Sequence, residues 1–202
     1  MSGRLYRLSM VRLRVRVLVL IGSVLALGGC GYKAKTPAEA FKRFSDAVKA
    51  GDGGALFDSL DQETRWNWMS FQKFHREAYD IVLSNFPEGP ERERATKRFE
   101  QAATSSSARE LFKNDAAPTL LPMFLPLTLA EGPIVNGPGD DQAAATFPTG
   151  GRVELKRGKN GGWGFAGLAK QAEDNKNRAY HDLEVVRASA ADYERAAART
   201  GK

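Results

Sequence analysis

The chain has 202 residues, 42% of them hydrophobic and 27% charged, which predicts one globular domain plus a short extra segment and excludes a disordered or multispanning chain. The net charge of +6 arises before residue 30, where five arginines stand without an acid, while the remainder has 25 Lys and Arg against 24 Asp and Glu. No nucleic-acid partner is therefore expected.

The chain begins with a pattern typical of an export signal. Five arginines precede a predominantly apolar run, VLVLIGSVLAL, at residues 17–27. A cationic start, about 7–15 apolar residues and small residues at the end are the features of a signal peptide. The run is shorter than the roughly 20 residues that a membrane-spanning helix needs. Residues 1–29 are therefore predicted to be a signal peptide, with translation starting at Met1 or at Met10.

Leu27, Gly28, Gly29 and Cys30 resemble the lipobox of bacterial lipoproteins. The resemblance implies that the Cys30 thiol receives a diacylglyceryl group, that the bond before Cys30 is cut, and that the new amino terminus is acylated. Leu27 is the apolar recognition residue and the glycines fit a narrow peptidase site. Several acyl chains give stable membrane attachment. Residues 30–35 then form a tether, and the covalent lipid is the only cofactor predicted.

Cys30 is the only cysteine, so an exported chain has no second thiol with which to form a disulfide, and this favours lipidation. The alternatives are an ordinary cleaved signal or an uncleaved anchor. Gly31 follows Cys30 in place of the aspartate that, in the enterobacterial sorting rule, retains lipoproteins at the inner membrane. The predicted location is the cell envelope and, in a cell with two membranes, the outer membrane facing the periplasm.

The first part of the mature chain is predicted to be helical. Thr36 caps a helix with Pro37 in its first turn, and apolar residues then repeat at spacings of three and four until a stop at residues 51–54. Further helices are expected over residues 55–60, 62–86, 91–103 and 107–114.

The segment from Ala117 to Ala130 is apolar but contains prolines at 118, 122 and 126. Proline interrupts helices and cannot donate to a central strand ladder, so an irregular segment packed over the core is predicted. The alternative is a hydrophobic lid or a partner-binding edge, because exposed apolar patches on soluble proteins mark interaction sites.

A change of periodicity then predicts strands and a final helix. Short runs at 132–137, 142–147, 152–156 and 163–168 are separated by Gly, Pro and Asp turns. They predict three or four antiparallel strands, with a glycine-rich hairpin at 158–162. Apolar residues recur at helical spacing over residues 171–202 and predict a C-terminal helix. The fold class is α+β, with N-terminal helices packed on the sheet.

The helix start TPAEAF at 36–41, the following Gly51-Asp52 and the strand GGWGF at 161–165 resemble small lipoproteins with a nuclear transport factor two-like fold. The resemblance implies a cone, in which helices close a curved sheet around a pocket over residues 36–170, with a helical insertion at 62–130. Relatives of this fold include ketosteroid isomerase and SnoaL-like enzymes, but none of their catalytic positions matches a residue here.

Trp68, His75, Tyr79 and Trp163 are the candidate lining of such a pocket. His75 lies on the apolar face of its predicted helix, where packing is favoured over general-base catalysis. His181 is expected in solvent among charged neighbours. No spacing of metal ligands is present, so no metal is predicted.

The leading hypothesis is a non-enzymatic envelope lipoprotein that binds a protein partner or a small apolar ligand. One alternative is an anchored enzyme that uses His75 and a nearby carboxylate as an acid and base. Another is a structural subunit of an envelope complex, assembled through the terminal helix.

Overall fold

The computed structural model describes residues 33–129, 134–136, 139–147 and 151–200, and its compact domain begins at Ala34. This part of the chain confirms the predicted α+β class. Its helices are α1 (Pro37–Lys49), α2 (Gly53–Ser59), α3 (Gln62–Asn85), α4 (Pro90–Thr104), α5 (Ala108–Asp115), α6 (Ala117–Leu129) and α7 (Ala169–Thr200). Its strands are β1 (Ile134–Asn136), β2 (Gln142–Thr146), β3 (Arg152–Arg157) and β4 (Trp163–Phe165).

Local capping sets the first two helices. Thr36 Oγ1 accepts a hydrogen bond of 3.2 Å from the Glu39 amide, and this confirms the predicted start of α1. The Asp52 carboxylate accepts bonds of 2.9 Å from the Gly54 and Ala55 amides. The Ala55 bond lowers the pKa of Asp52. Because Asp52 caps α2, this helix begins two residues before its predicted start.

The next helices also begin at side-chain caps. The Asp61 carboxylate accepts a bond of 2.9 Å from the Glu63 amide at the start of α3. Ser107 Oγ accepts one of 3.2 Å from the Glu110 amide at the start of α5, as its sequence pattern predicts. These bonds satisfy amides that have no partner inside their helices.

The four strands form an antiparallel meander in the order β1-β2-β3-β4. Ala143 of β2 lies opposite Leu155 of β3, which in turn lies opposite Phe165 of β4. Val153 and Leu155 are buried and Glu154 between them is exposed, as alternation along a strand requires. The predicted glycine hairpin joins β3 to β4.

Buried apolar side chains form two clusters. The first joins α1, α2, α5, α6 and the first half of α3 to the sheet and includes Phe44, Phe112 and Phe165. The second lies between α3, α4 and α7, and Val82, Phe99 and Leu183 belong to it. Helices α3 and α4 of the predicted insertion thus pack with the C-terminal helix as a three-helix bundle, whereas α5 and α6 of the same segment pack in the first cluster.

The prediction of an irregular segment at 117–130 is wrong, because α6 runs through Pro122 and Pro126. Both prolines lie on the exposed side of α6, where water can solvate the carbonyls that lose a helical donor. Pro118 is the second residue of α6, where an amide hydrogen would have no partner inside the helix, so the proline removes no hydrogen bond. Burial of the opposite side of α6 in the first cluster offsets the lost hydrogen bonds.

Candidate functional site

Helix α6 is apolar on its exposed side as well as on its buried side. Residues 116–129 include no Asp, Glu, Lys, Arg or His. On the buried side, the Phe124 ring packs edge-on at 5.4 Å from the Phe44 ring and 5.2 Å from the Phe165 ring. These contacts fix the orientation of α6, so its other side is held toward solvent.

Three large apolar side chains project from this exposed side. Met123 is 64% exposed, Leu125 40% and Leu129 71%. A surface helix ordinarily carries charged or polar residues on its outer side, and a helix that is apolar all round is normally buried. We call the exposed residues Pro118, Pro122, Met123, Leu125, Pro126 and Leu129 the α6 face. Its composition is that of an interaction surface.

The prolines also shape the α6 face. A proline has no amide hydrogen, so Pro122 and Pro126 donate nothing to the carbonyls of Pro118 and Pro122, four residues before them. Pro118, Pro122, Leu125 and Leu129 recur at spacings of four, three and four and share one stripe of the helix. Proline rings and leucine side chains therefore form one continuous apolar stripe on the exposed side of α6.

The four predicted pocket residues are divided between the two clusters. Trp68 is buried in the first cluster, 5.1 Å from the Phe112 ring, and Trp163 packs against the edge of that cluster. Tyr79 packs against the second cluster. The His75 ring lies 4.4 Å from Phe71 and 5.3 Å from Phe99, so it is packed between aromatic side chains.

The surroundings of His75 favour its neutral form. Burial lowers the pKa of His75 below its ordinary value of 6.5, the charge of Asp182 acts in the opposite direction, and the charge of Arg98 lowers the pKa further. The Asp182 carboxylate is paired with Arg98 at 2.6 Å. The Asp182 carboxylate is therefore already paired with Arg98, and the contacts of the His75 ring are those of a residue that packs in the core.

We expect the burial of His75 to make folding stability depend on pH. Its folded-state pKa is below the unfolded value, so the unfolded chain binds the proton more readily and stability decreases as the pH falls below about 6.5. Urea unfolding of residues 30–202 with Cys30→Ser, between about pH 5.5 and 7.5, measures this slope. His75→Gln should flatten the slope, whereas His181→Gln, at an exposed position, should preserve it. A slope unchanged by His75→Gln would contradict the assignment.

Other features of the described residues offer less to a ligand. A surface depression between α4 and α7 is lined only by polar and charged side chains, namely Arg98, Asp174, Asn177, Arg178, His181 and Asp182. No three His, Cys, Asp or Glu side chains in the described part of the chain are grouped to hold a metal. Within the same part, no helix is long and apolar enough to cross a membrane. The predicted lipobox residues Leu27, Gly28, Gly29 and Cys30 lie outside it.

Comparison of the chain with models of known protein families, with curated proteins and with solved structures found no match. The apolar sequence at residues 117–130 indicates the segment that forms the α6 face, and a partner-binding edge is one interpretation of that segment. The sequence could not show which side of that segment is buried, because apolar residues occur all round the helix.

Proposed function

We propose that this protein is a lipid-anchored lipoprotein of a bacterial cell envelope and that its folded domain is a non-catalytic interaction module. The lipobox-like residues 27–30 and the single cysteine support the anchor. The α6 face supports the interaction role. In a cell with two membranes, the outer membrane facing the periplasm is the proposed location.

The observation that carries the interaction role is the exposure of Met123, Leu125 and Leu129 on a helix with no charged residue. Buried cores of protein interfaces are depleted in charged residues and enriched in methionine and aromatic residues. The partner is therefore an envelope protein with an apolar surface.

A photoreactive amino acid at Met123 tests this role in intact cells. We expect a discrete protein adduct from position 123 and no such adduct from Lys97, an exposed position on α4. Leu129→Asp should abolish the adduct while circular dichroism stays unchanged, because Leu129 is 71% exposed and contributes little to the core. Measuring the adduct and the circular dichroism together distinguishes loss of the binding surface from loss of the fold.

Three results would contradict this assignment. Equal adducts from positions 123 and 97 would show that the α6 face has no preferred partner. Lipid adducts alone at position 123 would place the face against a membrane. An adduct of twice the chain mass would identify a second copy of this protein and favour the structural-subunit interpretation.

A further inference from the structure

The chain enters the folded domain at one end of the sheet. The Ala34 carbonyl accepts a hydrogen bond of 2.9 Å from the Trp163 amide, and Ala34 is fully buried. Trp163 lies opposite Arg157, the last residue of β3. The entry point is therefore beside the hairpin loop at residues 158–162, and we call this region the tether end.

The sequence allows very little chain between the proposed anchor and the tether end. Cys30 and Ala34 are four residues apart, and an extended chain spans at most about 3.6 Å per residue, which gives about 14 Å. A lipid on Cys30 thus holds Ala34 within that distance of the cysteine at the bilayer surface. The rest of the domain carries no such restraint from this tether.

Hydrogen bonds make the tether end a defined surface. The Gly158 amide donates to the Gly162 carbonyl at 2.8 Å, and the Asn160 amide donates to Gln62 Oε1 at 3.2 Å. The second bond fixes the start of α3 beside the hairpin loop. Trp66 lies one helical turn after Gln62 on the same stripe of α3, about 6 Å further along the helix.

Trp66 is 52% exposed, one turn of α3 from the glutamine that contacts the hairpin loop. Tryptophan combines a large apolar ring with one donor, and it is enriched where proteins meet the headgroup layer of a membrane. Cations and acids are mixed in this region, because Lys156 is paired with Glu63 at 2.8 Å and the charge of Lys159 acts on the same carboxylate. Phosphatidylcholine has no net charge, so contact with it does not depend on these cations.

We infer that the tether end, formed by the hairpin loop at 158–162 and the exposed Trp66, lies on the phospholipid headgroups of the membrane that holds the anchor. This inference rests on the proposed lipidation of Cys30. It gives the two surfaces different occupants. Leu127 of α6 packs on Gly151, just before the start of β3, whereas the tether end lies at the other end of that strand. The tether end meets lipid, and the α6 face stays available to protein.

Site-specific fluorescence on the acylated mature protein in phosphatidylcholine vesicles tests the inference. Acylation blocks the only native thiol, so a bimane probe reacts only with an introduced cysteine. Lys159→Cys places the probe at the tether end. Glu88→Cys is the matched control beyond the far end of α3, a helix of 24 residues and therefore about 36 Å long. Met123→Cys reports on the α6 face.

We expect nitroxide-labelled headgroups to quench the probe at position 159 several-fold more than the probes at 88 and 123. Trp66→Ser should reduce that quenching, and raising the salt should leave it unchanged. Equal quenching at 159 and 88, or stronger quenching at 123, on protein whose mass includes the acyl chains would overturn the inference alone. A mass without acyl chains would overturn the proposed function, and the inference with it.

Discussion

Phe44→Ala is expected to destabilise the domain by about 3–5 kcal/mol, the usual cost of removing a buried phenylalanine. Phe44 is fully buried, and its ring lies 4.3 Å from Phe165 and 5.4 Å from Phe124. The substitution removes contacts that join α1, β4 and α6 and leaves a cavity between them. Because domains are typically stable by about 5–15 kcal/mol, the loss is a large part of the total.

Urea unfolding of residues 30–202 with Cys30→Ser measures the loss without lipid. Leu129→Ala is the matched control, since this exposed side chain should change stability by no more than about 0.5 kcal/mol. A Phe44→Ala variant as stable as this control would contradict the described packing of the first cluster.

Gly164→Ala is expected to destabilise the domain by about 1–3 kcal/mol or more, because strand β4 is pressed against the junction of α2 and α3. An added Cβ would lie 2.5 Å from the Asp61 amide nitrogen and 2.6 Å from the Leu60 carbonyl carbon. These are backbone atoms that cannot rotate away. The same junction is held by the Asp61 amide, which donates to the Phe165 carbonyl at 3.0 Å.

Thermal unfolding of Gly164→Ala beside Gly139→Ala tests this contact. At position 139 an added Cβ would lie 3.2 Å from the Asp141 carboxylate, the mobile end of an exposed side chain, so a small effect is expected. Equal melting temperatures for the two variants would show that β4 is not in close contact with the Asp61 junction.

Local signals made most element boundaries predictable. Thr36 and Ser107 were identified from residues within one helical turn of each cap, and the structure shows the corresponding hydrogen bonds. The glycine-rich sequence at 158–162 predicted the hairpin for the same reason. Such features depend on short stretches of chain, so the sequence alone contains the information that specifies them.

The features that position the candidate site depend on distant residues. The three prolines predict an irregular segment at 117–130, but packing of Phe124 on Phe44 and Phe165 supports a helix there. Likewise, no pattern in the sequence indicates that the His75 ring packs beside Phe99. Tertiary packing therefore decided both the conformation of α6 and the division of the predicted pocket residues. The cone-like relationship stays a prediction.

Intact mass combined with membrane fractionation tests most directly the proposal that lipid on Cys30 anchors the protein in the envelope. The native protein and a Cys30→Ser variant are compared from the same cells. We expect the native protein to lack residues 1–29, to carry acyl mass and to sediment with membranes, while the variant carries no acyl mass and leaves the membrane fraction once its signal is removed. Native protein that is soluble and free of acyl mass, like the variant, would contradict this proposal.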